Sequence, residues 1–146
     1  MTLGICKWKA LTALVLSGLV GSAAVSETVK PPAVSIELSA ADAIGEACRL
    51  SFVVQNSHSQ DIASSVYETV LFNVDGQVAQ LTLLDFQDLP AGRMRVRQFQ
   101  FDGLACDDIS RVLINGADTC KGEGLPQDAC HKNLTLRSLT KMELIG

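Results

Sequence analysis

The chain has 146 residues and a formal net charge of −4, with 47% of residues hydrophobic and only 19% charged. That length holds one domain and excludes a multidomain enzyme. The acidic balance argues against nonspecific binding to nucleic acid.

Part of the hydrophobic excess is local. Residues 1–26 have the three parts of a cleavable signal peptide. Lys7 and Lys9 form a positive n-region, and Ala10 to Val20, ALTALVLSGLV, is an uncharged run of 11 residues. Gly21, Ser22, Ala23 and Ala24 are small, and a cut after Ser26 leaves Ala24 and Ser26 at the third and last positions before it. The run is shorter than the ~20 residues a membrane span requires, so the mature chain is expected to carry no transmembrane span. Cys6 precedes the run, which excludes a lipoprotein box, and the absence of a twin Arg favours the general secretory route. Removing the signal leaves 10 basic and 16 acidic side chains. The expected location is periplasmic or secreted.

Residues 27–32, ETVKPP, read as an N-terminal tail, because Pro31 and Pro32 oppose helix and sheet. A β-sandwich domain is expected over 33–146. Val34, Ile36 and Leu38 alternate with polar residues, the period of a half-buried strand. Ser39 to Ala47 is a small-residue connection with room for one helical turn. Cys48, Leu50, Phe52 and Val54 alternate again, up to Asn56-Ser57-His58-Ser59. Ile62 to Phe72 is an apolar, β-branched strand ending at Asn73-Val74-Asp75-Gly76, where Asp-Gly accepts positive φ at low cost. Gln77 to Phe86 returns, and Leu89-Pro90-Ala91-Gly92 turns the chain into Arg93 to Phe101. Ile109 to Ile114 is a short strand closed by Asn115-Gly116, and Leu134 to Leu144 is the last.

These are seven strands with turn signals between them and no convincing helical period outside the signal. The pattern predicts an all-β, immunoglobulin-like antiparallel β-sandwich. Labelled A, B, C, C′, E, F and G in order, the strands place Cys48 at the start of B and Cys106 just before F. Those two strands start at the same end of such a sandwich.

Five cysteines become four when Cys6 leaves with the signal. Cys48, Cys106, Cys120 and Cys130 in an exported chain predict two disulfides, for which three connectivities exist. The pairing expected is Cys48–Cys106, on the B–F argument, and Cys120–Cys130, which staples the Gly- and Pro-containing loop 120–130, CKGEGLPQDAC. No C-x-x-C occurs to support thioredoxin-like redox chemistry. His58 and His131 are isolated and no cysteine pair has zinc-finger spacing, so no metal and no cofactor are expected.

The segments FVVQN (52–56), VLFNVDGQV (70–78) and DLPAGRMRVRQFQF (88–101) resemble bacterial periplasmic immunoglobulin-like modules of the FxLYD and CARDB type. Those modules share a strand ending in Asn, an Asp-Gly hairpin, and a Leu-x-Pro/Ala-Gly turn before an outgoing strand. The chain is also similar to exported alphaproteobacterial proteins that carry a signal sequence. The Phe-x-Leu-Tyr-Asp string is replaced here by Val70-Leu71-Phe72-Asn73, and the two cysteine pairs depart from the common pattern. The resemblance implies an immunoglobulin-like fold and a binding or scaffolding role.

Arg93, Arg95 and Arg97 share one face of a strand. Three guanidinium groups in a row suit a carboxylate, a phosphate or an acidic partner, and equally a solvated face that discourages edge pairing. Phe99 and Phe101 continue the same parity yet belong inside. Either a bulge near Arg97-Gln98 switches faces, or the arginines border an apolar groove. Asp107-Asp108 and Asp85/Asp88 read as turn carboxylates. Ser138-Leu139-Thr140-Lys141 matches S-x-x-K but lacks the partner motifs of β-lactam-binding enzymes. Asn133-Leu134-Thr135 is a formal glycosylation sequon. No other nucleophile, phosphate-loop or metalloprotease motif occurs. The expectation is a non-enzymatic exported module of the bacterial cell envelope that binds or supports another envelope protein through a sheet face or edge, with Arg93, Arg95 and Arg97 as anionic-partner contacts and no nucleic-acid partner. The alternative is a small periplasmic enzyme or thiol-redox accessory factor.

Overall fold

The protein is described here from a computed structural model covering Gly4 and residues 30–146. The signal read over residues 1–26, with Cys6 and Trp8, lies outside the described residues, as does the start of the 27–32 tail. Eight strands follow one another: β1 (Val34–Ile44), β2 (Ala47–Asn56), β3 (Ile62–Asn73), β4 (Val78–Leu89), β5 (Met94–Phe101), β6 (Ile109–Lys121), β7 (Thr135–Ser138) and β8 (Glu143–Ile145). Cys106–Asp108 forms a 3-10 turn before β6. Among the described residues no helix is long and apolar enough to cross a membrane.

The strands make two four-stranded sheets, ordered β5-β2-β1-β7 and β4-β3-β6-β8. The first six fall in the E-B-A and C′-C-F order of an immunoglobulin-like sandwich. Period-2 alternation sends Val34, Ile36, Leu38, Leu50, Phe52 and Val54 inward from one sheet. Tyr67, Leu71, Leu84, Phe86, Val112 and Ile114 come in from the other. Phe86 is the aromatic hub, edge-to-face with Phe52, Tyr67 and Phe99 at 5.6, 5.5 and 5.1 Å between ring centroids.

Four local expectations are corrected. Ser39 to Ala47 is strand rather than a connection: β1 passes a bulge between Leu38 and Ala40 and turns only at Gly45-Glu46. Small residues pair through their backbones there without leaving an alternating pattern. Asn115-Gly116 does not end its strand. Asn115 is skipped in the β3–β6 register as a bulge, its side chain donates to Glu68 Oε1, and β6 continues to Lys121. Asp85 and Asp88 lie within β4 rather than in a separate turn, beside a local kink at Gln87 (φ 61°). Leu134 to Leu144 is two strands. β7 pairs parallel with β1 and β8 pairs parallel with β6, so the segment crosses from one sheet to the other. Successive hydroxyls make the crossing: Thr140 N–H donates to Ser138 Oγ and Met142 N–H to Thr140 Oγ1, both at 3.1 Å. The described strands therefore pair antiparallel except at the two C-terminal pairings, and an isolated parallel bridge joins Asn56 to Ala91.

Cys48–Cys106 ties β2 to the turn entering β6, and hence one sheet to the other. Cys120–Cys130 closes the loop that follows β6. That loop is sewn onto the core by Tyr67, whose ring is buried and whose hydroxyl donates to Cys130 O at 2.8 Å. It also sits tightly on its neighbour: a Cβ at Gly122 would lie 2.3 Å from Asp61 O. Tyr67→Phe is expected to cost about 1–3 kcal/mol by leaving a buried carbonyl unpaired, read as a lower urea midpoint. An unchanged midpoint would refute this role of the hydroxyl. Burial also pushes the Tyr67 hydroxyl above its ordinary pKa. The unfolded chain then ionises first, near pH ~10. Stability present below that pH drains away as it rises further. The phenylalanine variant should lose this alkaline dependence.

Candidate functional site

The predicted arginine row divides. Arg93 precedes β5, is exposed, and makes no ion pair among the described residues. The β2–β5 register runs without a shift from Cys48↔Phe101 to Gln55↔Met94. No bulge switches the faces, and Arg95, Arg97, Phe99 and Phe101 all point to the inner side of the sheet. At this open side of the sandwich the edge strands β5 and β4 face each other. Arg97 spans them, donating from Nε to Phe86 O at 2.7 Å and from Nη2 to Asp88 O at 3.0 Å. Asp88 also accepts both cations, Arg97 at 3.3 Å and Arg95 at 3.6 Å. Arg95 and Arg97 thus clamp two sheet edges together, with Phe99 packed beside them against the core.

A different surface has the character of a binding face. On the outer side of β4-β3-β6-β8, one row of cross-strand partners is apolar from edge to edge: Leu81↔Val70↔Leu113↔Ile145. The next row is Val78↔Phe72↔Arg111↔Glu143, in which Arg111 lies 5.7 Å from the Phe72 ring centroid and pairs with Glu143 at 2.9 Å. On the other side stands Leu83↔Glu68. Val70 is covered by its neighbours, at 5% exposure, while Leu81 and Leu83 keep 59% and 53%. Apolar side chains that line up on a solvent-facing sheet mark an interaction site more strongly than scattered ones. The period-2 reading missed this face because it sorted one set of residues into the core and stopped. The available signal was the uninterrupted triplets Val70-Leu71-Phe72 and Val112-Leu113-Ile114, which leave no polar residue for a solvated side.

The sandwich ends carry two shallow clefts. One, of about 480 Å³, lies between Ser39 at the β1 bulge, the Cys106-Asp107 turn and the crossing at Thr140, Lys141 and Met142. The other, of about 310 Å³, is lined by Tyr67, Asn115, His131 and Leu136 among others. Ser138 of the S-x-x-K match sits in the crossing turn, its Oγ 3.1 Å from Thr140 Oγ1. Asp107 and Asp108 are exposed in the 3-10 turn, and Asn133 (φ 58°) is exposed in the turn that follows the stapled loop. His58 Nε2 lies 3.0 Å from Ala129 O. A hydrogen bond from Lys132 holds the exposed Asp128 carboxyl below its usual pKa. Among the described residues no three His, Cys, Asp or Glu side chains are grouped as metal ligands.

Fold and surface together define an all-β sandwich of immunoglobulin-like strand order, disulfide-bonded between its sheets. No family model and no curated protein matches the chain. Among solved structures, it is similar to IrmA from Escherichia coli, with a TM-score of 0.55 and 12% identity over 73% of this chain and 92% of that one. At that identity the likeness is one of fold alone.

Proposed function

We propose that this protein is an exported, non-enzymatic binding or scaffolding module of the bacterial cell envelope, and that it meets its partner protein through the outer face of β4-β3-β6-β8. The observation that carries this reading is the Leu81-Val70-Leu113-Ile145 row. The signal-like residues 1–26 and two disulfides support a periplasmic or secreted location, where thiols oxidise. The resemblance of residues 52–114 to periplasmic modules of the FxLYD and CARDB type supports the binding role. All four described cysteines are paired, so the reading asks for no thiol chemistry. Of the three arginines, Arg93 is the one placed to meet an acidic group of a partner, since Asp88 already holds Arg95 and Arg97.

A photo-crosslinking residue at Leu113 tests this in native envelopes. The expected product is an adduct with a different envelope protein. Ile145→Lys should abolish it without moving the thermal midpoint, and Arg93→Ser should weaken it. Recovery of no foreign adduct, or an adduct indifferent to Ile145→Lys, would overturn the reading.

A further inference from the structure

A sandwich has four sheet edges, and each exposes backbone groups able to pair with another chain. Three end in strands that offer little to a partner. β7 and β8 are only four and three residues long, and β5 turns two arginines inward, which makes it a poor template. The fourth edge, β4, is 12 residues long and among the described residues pairs only with β3. Its second half is capped, because Arg97 occupies the carbonyls of Phe86 and Asp88. Its first half, Val78 to Leu84, has no cap, no proline and no charge, and Val78, Leu81 and Leu83 are each more than half exposed.

The occupant that fits is a second copy of the same segment. Antiparallel pairing about a two-fold axis at Thr82 sets Leu81 of each copy opposite Leu83 of the other, on the same outer face. It sets Gln80 opposite Leu84, so no like charges meet across the junction, and the regular ladder ends at the register shift at Ala79. Paired leucines at such positions are the stabilising unit of a sheet. The contact is isologous and closes at two copies.

We propose that this protein self-associates through Val78–Leu84 of β4, joining two four-stranded sheets into one continuous eight-stranded sheet. The apolar row of one copy then runs on toward that of the other. This inference does not depend on an envelope partner: purified protein alone tests it, and a monomeric result leaves the partner reading standing.

The test is sedimentation equilibrium of the purified protein with both disulfides intact, from micromolar to millimolar concentration. The wild type should approach twice the monomer mass. Leu81→Lys/Leu83→Lys places like charges opposite each other and should weaken association at least ~100-fold. Leu81→Lys/Leu83→Glu places opposite charges across the two-fold and should restore it to within about tenfold of the wild type. Both positions are exposed, so all three proteins should melt together at a concentration low enough for each to be monomeric. Independently of any variant, wild-type amides of 78–84 should gain hydrogen-exchange protection as concentration rises. A wild type monomeric throughout, open-ended oligomers, a double-lysine variant that still dimerises, or a lysine–glutamate variant that does not would each overturn the proposal.

Discussion

Phe86→Ala is expected to lower the unfolding free energy by about 3–5 kcal/mol, the range for truncating a buried aromatic. A typical domain has about 5–15 kcal/mol in total, so the variant should sit at the edge of unfolding. Phe86 is fully buried and is the one ring that touches Phe52, Tyr67 and Phe99. It belongs to β4, whereas Phe52 and Phe99 come from β2 and β5 of the opposite sheet. Removing it opens a cavity between the sheets and breaks three edge-to-face pairs, each worth about 0.5–1.5 kcal/mol beyond burial; Phe52 and Phe99 keep each other at 5.9 Å, while Tyr67 is left without an aromatic partner. Phe86→Leu keeps most of the volume and should cost less than half as much. Urea unfolding decides, with the near-ultraviolet dichroism of Tyr67 as a local reporter. A loss below about 1 kcal/mol for the alanine variant would mean that the sheets can collapse over the gap.

Converting Cys48 and Cys106 together to alanine is expected to cost about 4 kcal/mol in the chain-entropy model, against ~3 for the Cys120–Cys130 pair. The difference follows from the sequence separations of 58 and 10 residues. The long bridge also has a structural role that the short one lacks. It joins β2 in one sheet to the turn feeding β6 in the other, with Cys48 fully buried in the core. The short bridge holds down a loop that Tyr67 also grips through the Cys130 carbonyl, so part of its ordering survives reduction. Thermal unfolding of the two double variants should place the Cys48/Cys106 variant lower. The reverse order would mean that the stapled loop, and not the inter-sheet tie, limits stability.

The architecture was legible because most strands bury one face. Leu50, Phe52 and Val54 announce β2, and Asn73-Val74-Asp75-Gly76 announces the β3–β4 hairpin, where Asn73 Oδ1 accepts the Gln77 amide at 2.9 Å and Gly76 takes φ 77°. Errors fell where the backbone pairs without a side-chain pattern. Ala40 to Ala43 are small or polar and half-exposed or exposed, so nothing in their spacing says strand. Asn115-Gly116 carries turn chemistry that β3 overrides by pairing on both sides of it. The C-terminal split depended on Ser138 and Thr140 accepting successive amides, a local geometry that hydrophobic periodicity does not encode.

The arginines show the limit for surfaces. Their shared parity was correct, but what they touch was fixed by Asp88, which lies on a strand of the other sheet. A charge row is readable from one strand, whereas its satisfaction depends on which edge folds beside it. The outer apolar face was latent in two consecutive triplets, yet its meaning came only from the register that lines Leu81, Val70, Leu113 and Ile145 into one row.

The parallel C-terminal pairings also order events in time. β1 is the first strand of the fold, but its outer neighbour β7 follows about a hundred residues later in the chain, and β8 then completes the second sheet. Closing so long a loop is slow, and its entropic cost falls due before the contacts that reward it. A chain folded only as far as Lys121 already contains six strands and the long disulfide's two sulfurs, yet the outer edge of β1 still lies bare. Until residues 135–145 seal that seam, the chain is at its most vulnerable to chaperones, proteases and other unfinished copies of itself.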